Sequence, residues 1–81
     1  MNVDECKIEI LLYSTLGCHL CEQAADLIHP YGAVVLKIVE IADDPELVAR
    51  YGLRIPVAAR ATGQELDWPF DAAAFERWLA R

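Results

Sequence analysis

Thr15–Glu22 reads TLGCHLCE and places two of the chain's three cysteines, Cys18 and Cys21, three positions apart. Ahead of it, Lys7–Tyr13 (KIEILLY) is rich in Ile and Leu and runs into a Ser-Thr-x-Gly cluster, the pattern of a buried strand entering a tight turn. Behind it, Leu20, Ala24, Leu27 and Ile28 recur at helical spacing until His29-Pro30-Tyr31-Gly32 stops them. The stretch is therefore expected to join a strand to a helix, with Cys18 where the helix begins. Backbone N–H groups in a first turn lack intrahelical partners, so an anion is stabilised there. The macrodipole contributes roughly 0.3 to 1 kcal/mol, up to ~2 in good geometry, and with N–H bonds to the sulfur makes Cys18 partly thiolate at neutral pH. Cys21 lies one turn deeper on the same side, within disulfide reach after modest adjustment, and can resolve what Cys18 starts. Gly17 supplies a sharp turn and leaves the approach to the first sulfur open. His19, when protonated, would be a second positive neighbour; the competing reading is an exposed polar residue.

Lowering a thiol pKa does not by itself speed attack, because nucleophilicity falls with it along a Brønsted slope of ~0.4 to 0.5. The larger effects are a better leaving group and a more stable reduced form, so the helix amino terminus tunes redox poise as much as rate.

The bulk of the sequence narrows the chemistry further. Eighty-one residues with 56% hydrophobic and 25% charged content describe an ordinary globular chain, and a single domain over residues 1–81 is expected. Thirteen acids against seven bases leave a formal charge of -6, which disfavours nucleic acid and anionic membrane surfaces as partners. No apolar run, Ala33–Leu36 included, approaches the ~20 residues that span a bilayer, and MNVDECK is acidic where a signal peptide is basic. The expected compartment is the cytoplasm. In that reducing setting three cysteines do not form a disulfide framework, and Cys-x-x-Cys is redox-active or metal-binding. As a staple the pair would be weak, a four-residue loop yielding no more than ~2 kcal/mol by chain entropy.

Beyond the motif, Ala33–Ile41 (AVVLKIVEI) reads as a second strand, its continuous apolar character suggesting cover on both faces. Asp44-Pro45-Glu46 caps a short second helix with Leu47, Val48 and Tyr51 as its apolar side and Gly52 at its close. Pro56–Arg60 and Gln64–Trp68 flank Ala61-Thr62-Gly63 and read as an antiparallel hairpin. Asp71 caps a last helix with Phe75, Trp78 and Leu79 facing inward, and the acids Glu40, Asp43 and Asp44 read as a solvated face and helix cap. The order β-α-β-α-β-β-α implies an α/β domain with a four-stranded mixed sheet flanked by helices. Strands separated by helices are expected to pair in parallel, with the hairpin adding an antiparallel edge.

With these residues in place, the chain resembles the thioredoxin superfamily, and within it the small bacterial glutaredoxin-like proteins. LYSTLGCHLC after the first strand, YGLRIPV after the second helix and GQELDWPFD before the last helix carry the likeness. The resemblance implies a thioredoxin-like fold and a thiol–disulfide oxidoreductase that reduces disulfides through a mixed disulfide, with Cys18 as nucleophile and Cys21 as resolving residue. It implies a cis Ile55–Pro56 bond beside the cysteine pair, with the backbone of Ile55 turned toward an extended substrate segment. Gly17, His19, Arg54, Ile55 and Pro56 are thereby supporting or substrate-binding candidates, Arg54 as the recogniser of an acidic group on a partner or tripeptide. No cofactor is implied; glutathione enters as a candidate cosubstrate. The implied partners are a protein or small-molecule disulfide and a reductant such as glutathione or a thioredoxin-reductase-type enzyme, acting on a monomer. The chain departs from the glutaredoxin pattern in having CHLC, Arg54 before Ile55-Pro56, and DWPFD in place of a diglycine stretch.

Two other readings use the same residues. A metal site would draw on Cys6, Cys18, Cys21 and His29, or an iron–sulfur cluster would be shared between two chains through Cys18, but structural zinc takes two ligand pairs and the sequence holds one. A non-catalytic interaction module on the same fold would dock a partner with Trp68, Pro69 and Phe70. Outside both motifs, Cys6 reads as incidental and Trp78 as core.

Overall fold

Ile8–Ser14 (IEILLYS) forms strand β1, paired on both sides, in the computed structural model, which describes residues 8–80. Helix α1 (His19–Ile28), strand β2 (Val34–Glu40), helix α2 (Pro45–Tyr51), strands β3 (Val57–Arg60) and β4 (Glu65–Asp67) and helix α3 (Ala72–Leu79) follow. The sheet runs β2-β1-β3-β4 and is mixed, the thioredoxin-like α/β arrangement anticipated above. Asp44 accepts the N–H groups of Glu46 and Leu47 at 3.0 and 3.3 Å, and Asp71 that of Ala74 at 2.8 Å, so each carboxylate caps the helix that follows it. Gly63 takes φ +93° at the hairpin turn, where a Cβ would be strained.

One pairing corrects the expectation. β1 and β2 are parallel, but β3 runs antiparallel to β1 although α2 separates it from β2. The cause is reach. A seven-residue strand is about 23 Å long, whereas the seven-residue α2 rises only about 10 Å, so the helix by itself does not carry the chain back to the far end of the sheet. β2 ends at Glu40 opposite Ser14, and β3 begins at Val57 opposite Tyr13, so it enters at the same end and must run backwards.

Pleating sends Ile8, Ile10 and Leu12 to the face where Ala24 and Ile28 of α1 and Phe75 and Trp78 of α3 complete the main core. Phe75 is fully buried, its ring 5.1 Å from Tyr31, 6.0 Å from Phe70 and 5.9 Å from Trp78. Phe70 therefore packs under the last helix and is not a docking surface. On the opposite face Tyr13 and Val57 meet Ile41, Leu47, Tyr51 and Ile55, with the Tyr13 and Tyr51 rings stacked 4.1 Å apart.

This second cluster covers one end of that face only, so the doubly covered β2 is also corrected. β2 is an edge strand, with Val35 39% and Ile38 56% exposed. Two helical faces are rotated from their expected settings: α1 buries Cys21, Ala24 and Ile28 while Leu20 points outward, and α2 buries Tyr51 while Val48 is exposed. No helix among the described residues is long and apolar enough to cross a membrane. Phe75→Ala is expected to cost about 3 to 5 kcal/mol in denaturant unfolding, whereas Val35→Thr on the open face should stay within about 0.5 kcal/mol.

Candidate functional site

Ser14 closes β1, and four residues later the chain presents the first sulfur of the Cys-x-x-Cys pair. Gly17 turns with φ +82°, and Cys18, extended at φ -80° and ψ 107°, stands as the N-cap of α1. Its Sγ accepts the Cys21 N–H at 3.2 Å while its carbonyl accepts the Glu22 N–H at 3.2 Å. A sulfur thus occupies the capping position ordinarily taken by a hydroxyl or carboxylate oxygen, facing the positive end of the helix. Cys18 and Cys21 are joined as a disulfide with Cα atoms 5.2 Å apart. Cys18 is half-buried and Cys21 is only 4% exposed, so the first cysteine is the more accessible of the two. His19 points away, with a 92% exposed side chain and Nδ1 3.9 Å from Glu22 Oε1.

The turn carrying Cys18 is held from the side by Glu40, at the end of β2 in register with Ser14. Its carboxylate accepts the Leu16 N–H at 2.9 Å through Oε1 and the Ala42 N–H at 2.9 Å through Oε2. The Ala42 N–H, then the Thr15 hydroxyl, with the Leu16 N–H adding to them, hold this carboxyl below its usual range. Glu40 is therefore a brace for the turn carrying Cys18, a task the reading of it as a solvated acid missed. The one hint in the sequence was an acid interrupting an apolar strand; its partner became visible only through the β1–β2 register.

β3 borders the site on the other side. Extending the Tyr13–Val57 pairing by one residue sets Pro56 beside Ser14; Pro56 is fully buried, and the Ile55–Pro56 and Trp68–Pro69 bonds are both cis. The Pro56 carbonyl accepts the Trp68 N–H at 3.2 Å. Ile55 gives its N–H to the Tyr51 carbonyl at 3.0 Å, while its own carbonyl takes no hydrogen bond from the described residues. Arg54 grips Asp67 with two bonds, Nε to Oδ2 at 3.0 Å and Nη2 to Oδ1 at 2.7 Å, and reaches Glu65 Oε1 at 2.8 Å. Its guanidinium is committed to β4 and lies 5.3 Å from the centre of the Tyr51 ring. Both carboxylates are held below their usual range, Asp67 by Arg54 and Glu65 by the Tyr51 hydroxyl and then Arg54. Burial, then the 2.6 Å bond to Glu65, pushes the Tyr51 phenol up to about 12.

Among the described residues no group of three or more His, Cys, Asp or Glu side chains is placed to hold a metal ion. His29 caps the far end of α1, about 15 Å of helix from Cys18, and does not join the cysteines. Cys6 lies outside the described residues.

Residues 9–80 match the family described as Glutaredoxin-like domain (DUF836). The chain belongs to this glutaredoxin-like family. Two solved structures of target protein XcR50 from X. campestris are 44% identical to it. The X-ray structure has a TM-score of 0.82 and covers 88% of this chain and 95% of its own; the solution structure has a TM-score of 0.78 and covers 88% and 91%. No curated protein matches the chain. A glutaredoxin-like domain and a Cys18–Cys21 pair at disulfide distance fit a thiol redox role.

Two titrations follow from the polar contacts. Glu40 has a folded pKa below its unfolded value, so it contributes stability above ~4.3 that is lost as pH falls through the folded value; Glu40→Gln should flatten this acid limb in thermal melts, and Glu40→Ala should speed hydrogen exchange at Leu16. Tyr51 has the opposite sign: ultraviolet titration should find its phenol ionising only at about 12, and stability should decline as pH rises from ~10 toward that value.

Proposed function

We propose that the chain is a thiol–disulfide oxidoreductase that reduces disulfides through a mixed-disulfide intermediate. The observation that carries this reading is the sulfur of half-buried Cys18 at the N-cap of α1, accepting the Cys21 N–H, with the buried Cys21 joined to it from one turn behind. The N–H that meets the disulfide sulfur would meet a thiolate more strongly, favouring the reduced, attacking form.

In the first step the Cys18 thiolate attacks one sulfur of the substrate disulfide. A Cys18–substrate bond forms, the substrate S–S bond breaks, and the departing sulfur leaves as a thiolate that takes its proton from water. Cys21 then gives up its proton and attacks Cys18 Sγ; the mixed disulfide breaks, the second substrate thiolate leaves, and the internal disulfide is formed. Two electrons have passed from dithiol to substrate, and an external thiol reductant, glutathione or a thioredoxin-reductase-type enzyme, returns them. Gly17 leaves the first sulfur approachable. The carbonyl of Ile55, preceding buried Pro56 and unpaired among the described residues, would give an extended substrate segment a hydrogen-bonding edge. Such exchange belongs in a reducing compartment, the cytoplasm, where external thiols are maintained.

Trapping tests the assignment of roles. Reduced Cys21→Ser protein should accumulate a near-stoichiometric mixed disulfide with a disulfide substrate, resolved by mass spectrometry and reversed by dithiothreitol, while Cys18→Ser protein should accumulate none. Trapping by neither variant would remove the oxidoreductase reading.

A further inference from the structure

On the side of the cysteine pair away from Pro56, an open groove of about 290 Å³ runs between the start of α1 and β2. We propose that this groove selects protein disulfides whose cysteines are flanked by apolar and basic residues, and discriminates against oxidised glutathione; the inference rests on the exchange function proposed above and names its substrate class.

The groove is continuous with the chemistry, because Cys18 and Cys21 are among its walls. Its apolar lining includes Leu16, 92% exposed, and Ile38, 56% exposed, while Leu20, also exposed, lies in the first turn of α1. Large aliphatic side chains held in water beside a reactive sulfur are covered when a partner's apolar residues lie against them. The groove also ends on β2, the edge strand, whose outer side has no neighbouring strand among the described residues and can pair with an extended polypeptide but not with a tripeptide's short, charged ends.

Charge decides the remainder of the selection. Glu22 and Glu40 both line the groove, and among the described residues no lysine or arginine does. Basic side chains on either flank are engaged elsewhere: Lys37 of β2 pairs with Glu9 at 2.9 Å, and Arg54 ahead of β3 holds Asp67 and Glu65. Oxidised glutathione brings four carboxylates and two ammonium groups, a net negative ligand for which this groove offers no lysine or arginine among the described residues. The formal charge of -6 on the whole chain repels it further. A cysteine with Lys or Arg nearby instead sets cations against Glu22 and Glu40 as the sulfurs come into line.

The test uses the reduced full-length protein and four probes: disulfides of the peptides Lys-Leu-Cys-Leu-Lys and Glu-Leu-Cys-Leu-Glu, oxidised glutathione, and hydroxyethyl disulfide as a small neutral probe. Each rate is divided by that of the same probe with dithiothreitol, which removes its intrinsic reactivity. At low ionic strength the Lys peptide should oxidise the protein about tenfold faster than the Glu peptide or glutathione disulfide, and about 0.5 M salt should shrink the ratio. Glu22→Gln should narrow the Lys-to-Glu ratio by about threefold. Ile38→Ser should slow the Lys-Leu peptide more than a Lys-Gly-Cys-Gly-Lys analogue. Glutathione disulfide or the Glu peptide matching the Lys peptide would overturn the charge selection, and equal slowing of the Leu and Gly peptides would overturn the apolar one. Failure of the protein to react even with hydroxyethyl disulfide would be a different result, removing the exchange function itself and this inference with it.

Discussion

The position of the first sulfur depends on the immobility of β1. Ile10 and Leu12 have no solvent exposure, and the strand is clamped by parallel pairing with β2 along its whole length and by antiparallel pairing with β3 over Ile10–Tyr13. Only Thr15, Leu16 and Gly17 separate its last residue from Cys18, and Leu16 is tied to Glu40 of the neighbouring strand. Little slack remains between the hydrophobic core and the disulfide. Burial of the even-numbered side chains of β1 is thus converted, through a three-residue turn, into a defined place for a reactive atom.

The two flanks of that atom are built differently. Toward β3 the surroundings are internally satisfied: Arg54, Glu65, Asp67 and the Tyr51 hydroxyl bond to one another and tie the segment before Ile55 to β4. Fully connected polar groups of this kind are rigid and offer few unmet bonds. Toward β2 the surroundings are open, with Leu16 and Ile38 facing water and two carboxylates at the margin. One side holds the frame, and the other has surface left for an incoming molecule.

Much of this was legible from local signals. The strand before TLGCHLCE, the helix after it, the Asp44 and Asp71 caps and the glycine turn of the hairpin each follow from the preferences of a few adjacent residues. The cysteine spacing was legible for the same reason, since a three-residue separation on a first helical turn is itself a distance. What sequence could not supply was set by neighbours distant along the chain. The direction of β3 follows from the length of α2 measured against that of β2; the exposure of Val35 follows from β2 being last in the sheet. The brace from Glu40 and the grip of Arg54 on Asp67 need strand register, which no local pattern of charges reveals. Leu20 was misjudged because helical spacing alone leaves the rotation of α1 about its axis open, and burial of Cys21 fixed it otherwise.

The backward entry of β3 has a consequence for how such a molecule can vary. The exits of β1, β2 and β4, the entry of β3 and the N-termini of α1 and α3 gather at a single pole. The opposite pole holds the Gly32 bend, the Ala61–Gly63 hairpin tip and the tail of α1, none of which borders Cys18 or Cys21. The molecule therefore has a working pole and a spare one. Extra loops, tethers or fused partners can be grafted at the second without disturbing the first.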